Sequence, residues 1–405
     1  MSQASATLSK IAAGQMCAGC GACAAIAPEK ISLAINGEGF ARPVQSTPLS
    51  RMEEEKLSRV CPSIGLNQKS TGVDDNPLWG PYREVYRGWA NDPALRHHAS
   101  SGGGLSALLV HLVQSGKVEH VVQVGADEKT PYANAAVKSQ TAEEIFNAAG
   151  SRYAPSSPLA GIETHLNEGR LFAFVGKPCD VAALRGLAKE DDRIDRLVPY
   201  MISFFCAGVP SLKGAEEIIR TLGADPQDVA TFRYRGDGWP GHAAATLTNG
   251  EVKKMTYHDS WGKILTKHLQ PRCKVCPDGV GGFADIVFAD AWHCDDKGYP
   301  LFDEQQGQSL IVTRTEKGSA ILADAVEGGI VRAEKIDVRE IQSMQPGQVK
   351  RKRLAFSRLT ALRVLLRPTP RFVDFQLGKA ARQAGVLANI KSFLGTSRRV
   401  VLGRW

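Results

Sequence analysis

Apolar positions along the chain repeat with two periods. In "GGGLSALLVHLVQSG", Leu105, Leu108, Leu109, Leu112 and Val113 recur at helical spacing, and Gly116 closes the run. Shorter apolar blocks, "VEHVVQVGA", "RLFAFVG" and "LVPYMISFFC", read as strands. "DVAALRGLAK" and "SLKGAEEIIRTLG" read as the helices that follow the last two, and "ADIVFADAW" and "QSLIVTRT" as later strands. This alternation predicts an α/β core, with α+β elements, built on a mixed and partly parallel sheet. The expected domains are an N-terminal module over 1–70, a core over 82–345 and a helical tail over 346–405, with "GVDDNPLWGP" (Gly72–Pro81) as a linker.

Composition narrows the class. A chain of 405 residues that is 43% hydrophobic and 23% charged can bury two or three sizeable cores. No apolar run approaches the ~20 residues needed to span a bilayer, and "MSQASATLSKIAAGQMC" lacks a signal-peptide pattern. The expected location is the cytoplasm, where nine cysteines are better suited to metal ligation than to disulfides. The net charge of +8 is uneven. Residues 350–405 carry 14 Lys/Arg against Asp374 alone, a net +13, so the rest of the chain is at −5. The basic character belongs to the tail.

"CAGCGAC" places Cys17, Cys20 and Cys23 at the gaps of a ferredoxin-type run, but Ala27-Pro28 stands where such a run has its last Cys-Pro. Cys61, followed by Pro62 and 38 residues beyond Cys23, is the expected fourth ligand of one 4Fe-4S cluster. Zinc is the alternative for Cys-x₂-Cys spacing. Cys179 in "GKPCD", Cys206 in "FFCAGVPS", and Cys273 with Cys276 in "CKVCPD" suggest a second set of four. The two single cysteines end strands, and strand ends on one side of an α/β sheet meet at a common crevice. Their plainer reading is buried small residues. Cys294 receives no role.

No Gly-x-Gly-x-x-Gly fingerprint marks a dinucleotide site. In "ASSGGGLSALL", however, Ser100 and Ser101 can cap a helix whose first turn Gly102 and Gly103 leave open to a phosphate. Ser151, Arg152 and Tyr153 in "GSRYAPSSP" offer a cation and a stacking ring, or form an ordinary polar loop. "RYRGDGWPGH" presents Arg235 and Trp239 on a glycine-rich loop, either a substrate cover or a surface turn. His97 and His98 are candidate proton donors, against the commoner case of solvated loop histidines.

In their order, "CAGCGAC", "ASSGGGLSALLVHLVQSGKVEHVV", "GSRYAPS", "FVGKPCDVAALRGL", "FFCAGVPS" and "RCKVCPDGVGGFADIVFADAW" resemble the coenzyme F420 hydrogenase/dehydrogenase beta-subunit family. The likeness runs over roughly residues 15–320. It implies FAD with two 4Fe-4S clusters in one chain, a ferredoxin-like iron–sulfur module on a flavin-binding core, and a cofactor contact at Lys177. The expected activity is a ferredoxin-dependent flavin reductase or dehydrogenase, passing electrons from ferredoxin or a similar donor to an organic substrate, small-molecule or lipid-linked. A second reading is an electron-transfer beta subunit that exchanges hydride with a deazaflavin for a partner enzyme. A third is a zinc-stabilised, non-redox binding protein. The tail interleaves basic and apolar residues, so an anionic surface on the inner membrane face is a further expected partner through residues 350–405. No nucleic-acid reading motif accompanies the charge, and no nucleic acid is expected.

Overall fold

The short apolar blocks become the strands of one eight-stranded sheet. These are β1 (Glu84–Ala90), β2 (His120–Ala126), β3 (Asn134–Ser139), β4 (Phe172–Gly176), β5 (Tyr200–Phe204), β6 (Ile286–Asp290), β7 (Ser309–Thr313) and β8 (Val331–Lys335). Their spatial order is β8-β1-β7-β6-β5-β4-β2-β3. The central strands β6, β5, β4 and β2 run parallel, and antiparallel partners flank them. The computed structural model describes residues 4–68, 74–295, 301, 303–403 and 405. Among these, no helix is long and apolar enough to cross a membrane.

Alternate residues of the parallel strands bury on opposite faces, because side chains alternate along a strand. One face packs Ile202, Ile286 and Ile311 against Leu108, Leu109 and Leu112 of α1 (Gly104–Gln114). The other packs Phe172, Phe174 and Met201 against Val181 and Leu184 of α2 (Pro178–Leu187). Both helices lie where the apolar spacing places them. A three-stranded antiparallel sheet (Val229–Arg233, His242–Leu247, Val252–Thr256) buries its apolar side against Ala215, Ile218 and Ile219 of α3 (Leu212–Thr221). The result is a mixed α/β fold with a large mixed sheet.

The cysteine-rich N-terminal segment shares the core of the sheet. Cys20, Ala22 and Val60 belong to the same apolar cluster as Phe174 and Leu184. Gly72 and Val73 of the expected linker lie outside the described residues. Its remainder forms a small hairpin, Asp74–Asn76 with Gly80–Tyr82, and buries Leu78 and Trp79. Arg314 donates to the Trp79 carbonyl at 2.9 Å and to that of Pro81.

The basic C-terminal segment forms α4 (Pro346–Val364) and α5 (Val386–Val401). α4 is bonded into the body. Gln348 donates to the Cys206 carbonyl at 3.0 Å, Lys352 to that of Pro277 at 3.1 Å, and Arg358 to that of Lys274 at 2.8 Å. Beyond α4, Arg371–Val373 pairs in parallel with Gly65–Asn67 of the N-terminal segment.

Candidate functional site

Two left-handed glycines, Gly19 (φ 73°) and Gly21 (φ 90°), fold the Cys17–Cys23 stretch into a tight loop. The helix Arg51–Val60 stops at Cys61 and delivers it to that loop. The four thiols sit within electrostatic reach of one another: Cys61 acts on Cys20 and Cys23, and Cys17 on Cys23 and Cys61. Burial, then the neighbouring cysteines, push Cys23 up to about 12. Burial lifts Cys61 to about 11 and Cys20 well above its ordinary value. Amides of Ala22, Ala24 and Ser63 hydrogen-bond the sulfurs and offset part of that rise. Raised in this way, Cys20, Cys23 and Cys61 become thiolates only beside a bound cation.

A second group forms at the ends of the parallel strands. Cys179 opens α2 directly after β4, Cys206 follows β5, and Cys273 and Cys276 flank the end of the turn Pro271–Lys274. Cys206 feels Cys273 and Cys276, and Cys179 feels Cys206. Gly208 N–H donates to the Cys206 sulfur, while Val209 N–H and Gln270 Nε2 donate to that of Cys273, each at 3.4 Å. Arg351 and Arg272 counter the rise that burial imposes on Cys206 and Cys276. Four thiols with N–H···S donors and cations suit a cluster, whose sulfurs and thiolates are stabilised by such bonds. Cys179 also feels Cys20, so the two groups adjoin. Among the described residues, no three His, Cys, Asp or Glu side chains converge on a single-ion site. The ninth cysteine, Cys294, is shifted by burial and Asp295 rather than by another cysteine.

Cys206 lines a cavity of about 790 Å³, well inside the ~300–1,000 Å³ range of ligand pockets. Ser100, Ser101 and Gly103 at the start of α1, the Ser151–Tyr153 loop and Lys177 line it as well. Gly102 lies just behind them, outside the lining. The polar groups among these residues are largely committed to the frame. Ser100 accepts from Ser151 N–H at 2.5 Å and donates to the Arg235 carbonyl at 3.1 Å. Ser101 donates to the Ala289 carbonyl at 2.8 Å. The Arg152 guanidinium is spent on Asn134 and the carbonyls of Phe232, Pro131 and Ala133. Lys177 donates to Ser156. Burial alone would lower its ammonium, but Asp180 together with Cys179 and Cys206 offsets that and holds it at about 12.

The glycine-rich loop is largely internal, with Asp237 exposed among buried neighbours. Tyr234, Arg235 and Trp239 are buried, and Arg235 and Trp239 stand behind the cavity wall rather than in it. Arg235 forms a two-pronged pair with Asp290 at 2.7 and 2.8 Å, with its guanidinium over the rings of Trp292 (4.7 Å) and Tyr257 (4.8 Å). Burial would depress that cation, and Asp290 raises it instead. Trp239 donates to Asp290 at 2.8 Å and stacks on Trp292 at 4.9 Å. Asp290, Trp292, Tyr257, His258 and Trp261 all line the cavity, and reading by motif missed all five. The aromatic density of "YHDSW" beside the Cys-x₂-Cys pair was the available signal.

His97 and His98 are not among the lining residues. His97 is exposed. His98 stacks on Phe146 at 4.2 Å and pairs with Asp237 at 2.9 Å. The start of α4 and the residue before it complete the wall with Gln345, Gly347, Lys350 and Arg351, so the basic segment contributes to the site.

Two family models, the N-terminal and C-terminal parts of the coenzyme F420 hydrogenase/dehydrogenase beta subunit, match residues 85–162 and 169–339, together more than half of the chain. The chain belongs to that family. It is 29% identical over 273 residues to coenzyme F420 hydrogenase subunit beta of Methanococcus voltae, covering 64% of this chain and 86% of that one. It is 24% identical over 317 residues to the chloroplastic 7-hydroxymethyl chlorophyll a reductase of Oryza sativa, covering 77% of this chain and 61% of the reductase. A chain of the F420-reducing [NiFe] hydrogenase complex from Methanosarcina barkeri shares the fold at a TM-score of 0.52 and 22% identity, over 70% of this chain and 96% of that one. The family's members among these relatives are named as oxidoreductases or their subunits. The matched segments hold Cys179, Cys206, Cys273 and Cys276 and much of the cavity; the Cys17–Cys61 group and α4 lie outside them.

Proposed function

We propose that the protein is an iron–sulfur flavoprotein oxidoreductase that exchanges electrons between a one-electron donor such as ferredoxin and an organic molecule at the cavity. In this reading Cys17, Cys20, Cys23 and Cys61 hold one 4Fe-4S cluster, and Cys179, Cys206, Cys273 and Cys276 hold another. FAD occupies the cavity against Ser100, Ser101, Gly103 and the Ser151–Tyr153 loop. Bound there, the clusters supply one-electron transfer and the flavin links it to two-electron chemistry.

The observation that carries the reading is continuity. Cys206 lines the cavity, its own group includes Cys179, and Cys179 is within electrostatic reach of Cys20 of the N-terminal group. The chain's residues then divide the work. The sulfurs' N–H donors and Arg351 favour the more negative state of the second group. Arg235 and Trp239 act as positioning residues, fixing Asp290 and Trp292. Tyr257 and His258 are the proton-bearing groups on the wall, in preference to His97 and His98. Lys350 brings a cation to the same wall and favours an anionic substrate or cofactor group.

Anaerobically purified protein is expected to be brown, with about eight irons and about one releasable FAD per chain. Stoichiometric zinc without iron or flavin would overturn the proposal in favour of a colourless binding protein. A second reading rests on the Methanococcus voltae relative, named as a hydrogenase subunit and spanned over 86% of its length. In that case the chain exchanges hydride with a deazaflavin and serves a partner enzyme. Reduced coenzyme F420 and reduced ferredoxin, offered separately, distinguish the two by which one bleaches the flavin absorbance.

A further inference from the structure

Helix α5 (Val386–Val401) is turned inside out. It packs on α4, yet the side chain it buries completely is Thr396, at 0% exposure. Asn389, Phe393 and Val400 are half-buried on the same side. Leu387, Leu394 and Val401 face away from the body at 83%, 59% and 73% exposure. Their seven-residue spacing drifts only ~20° per repeat on a helix, so the three form a single line. Ile390, 50% exposed, widens it. Lys391 and Arg398, four residues after Leu387 and Leu394, flank this line on the side opposite Ile390 and are exposed. No Asp or Glu occurs between Leu377 and Trp405. At the close of α4, Leu366 is 90% exposed, beside Arg367.

Aliphatic side chains in this arrangement gain from any apolar phase that reaches them. The charges select which one. A second copy of α5 would set Lys391 and Arg398 against their own counterparts, with no carboxylate in the segment to answer them. Nucleic acid would satisfy the cations and leave the aliphatic line in water. A helix with an apolar line edged by Lys and Arg matches the boundary between acyl chains and anionic headgroups. We propose that α5 is a peripheral anchor that lies in the plane of an anionic bilayer, with Leu387, Ile390, Leu394 and Val401 inserted and Lys391 and Arg398 at the phosphates. The proposal is independent of the redox chemistry at the cavity.

The test is flotation of the full-length, anaerobically purified protein with vesicles of phosphatidylcholine alone, or mixed with an equal amount of phosphatidylglycerol. Binding is expected to the mixed vesicles and to fall with added salt. Leu387→Glu with Leu394→Glu should weaken it about tenfold or more, and Lys391→Gln with Arg398→Gln should erase the preference for anionic lipid. All four positions are exposed, so unchanged iron, flavin and melting temperature serve as the folding control. Equal binding to both vesicles, no binding to either, or a Leu387→Glu/Leu394→Glu variant that floats like the parent would overturn the proposal. A parent that ignores vesicles but loses a dimer in that variant would assign the face to self-association instead.

Discussion

Arg235 is a cation sealed inside the protein, and Asp290 is what makes that tolerable. Asp290→Asn leaves the guanidinium buried without its counter-charge, a change that costs about 3–5 kcal/mol. The expected outcome is a markedly lower melting temperature and a lower flavin-to-protein ratio. Replacing both partners, Arg235→Met with Asp290→Leu, should be less damaging to melting than the single change; a double as unstable as the single would transfer the weight to the ring contacts. His120 presents the opposite problem. It is fully buried beside His165 and Phe172, with neither ring nitrogen hydrogen-bonded. Burial, then His165, hold it down to about 4. The unfolded chain takes up this proton near the usual 6.5, so stability is full above that pH and is lost as pH falls towards 4. The loss from pH 7 to pH 5 is on the order of 2 kcal/mol. Urea denaturation at the two pH values measures it, and His120→Phe should flatten the difference. Neither residue was legible in sequence as a buried group, since Asp290 lies 55 positions from Arg235 and nothing local marks a histidine for the interior.

At the level of elements, the apolar runs were the readable part. Phe172–Gly176, an apolar block that reads as a strand, is buried at every position, and α1 and α2 follow their apolar spacing. The cysteine loop was readable in its spacing but not in its support. Gly21 has φ 90°, and a β-carbon there would lie 2.6 Å from the Ala160 amide nitrogen. Gly21→Ala is therefore expected to push the loop off the Ser157–Ala160 segment, where Ser157 donates to the Gly19 carbonyl and Leu159 to that of Cys20. Iron content should fall to about half of the parent value while flavin is kept; full iron with unchanged spectra would show that the loop accommodates the methyl. "RYRGDGWPGH" was the least readable element. Three glycines and three charges suggest solvent, and only the distant Asp290 and Trp292 reveal that the loop is internal.

Across the whole molecule, the N-terminal segment, the sheet and the basic helices are mutually fastened. A chain cut after Gly347 would lose Gln348 and Lys352, which bond the loops carrying Cys206 and Cys276, so surface substitutions are the cleaner probe of the C-terminal helices. The two cysteine groups should still separate by mutation. Cys61→Ala is expected to remove about four irons and spare the flavin, whereas Cys206→Ala, at the cavity wall, should lower both. Loss of flavin in Cys61→Ala equal to that in Cys206→Ala would mean that the groups do not act separately. The indole pair behind and within the cavity wall has an optical consequence. Trp239 and Trp292 stack in nearly parallel planes, 11° apart and 4.9 Å between centroids, close enough for their excited states to couple. Trp292 faces the cavity. An aromatic occupant should therefore quench ultraviolet emission and alter the near-ultraviolet dichroism, so that filling of the site can be followed by light, without any label, as ligand is titrated in.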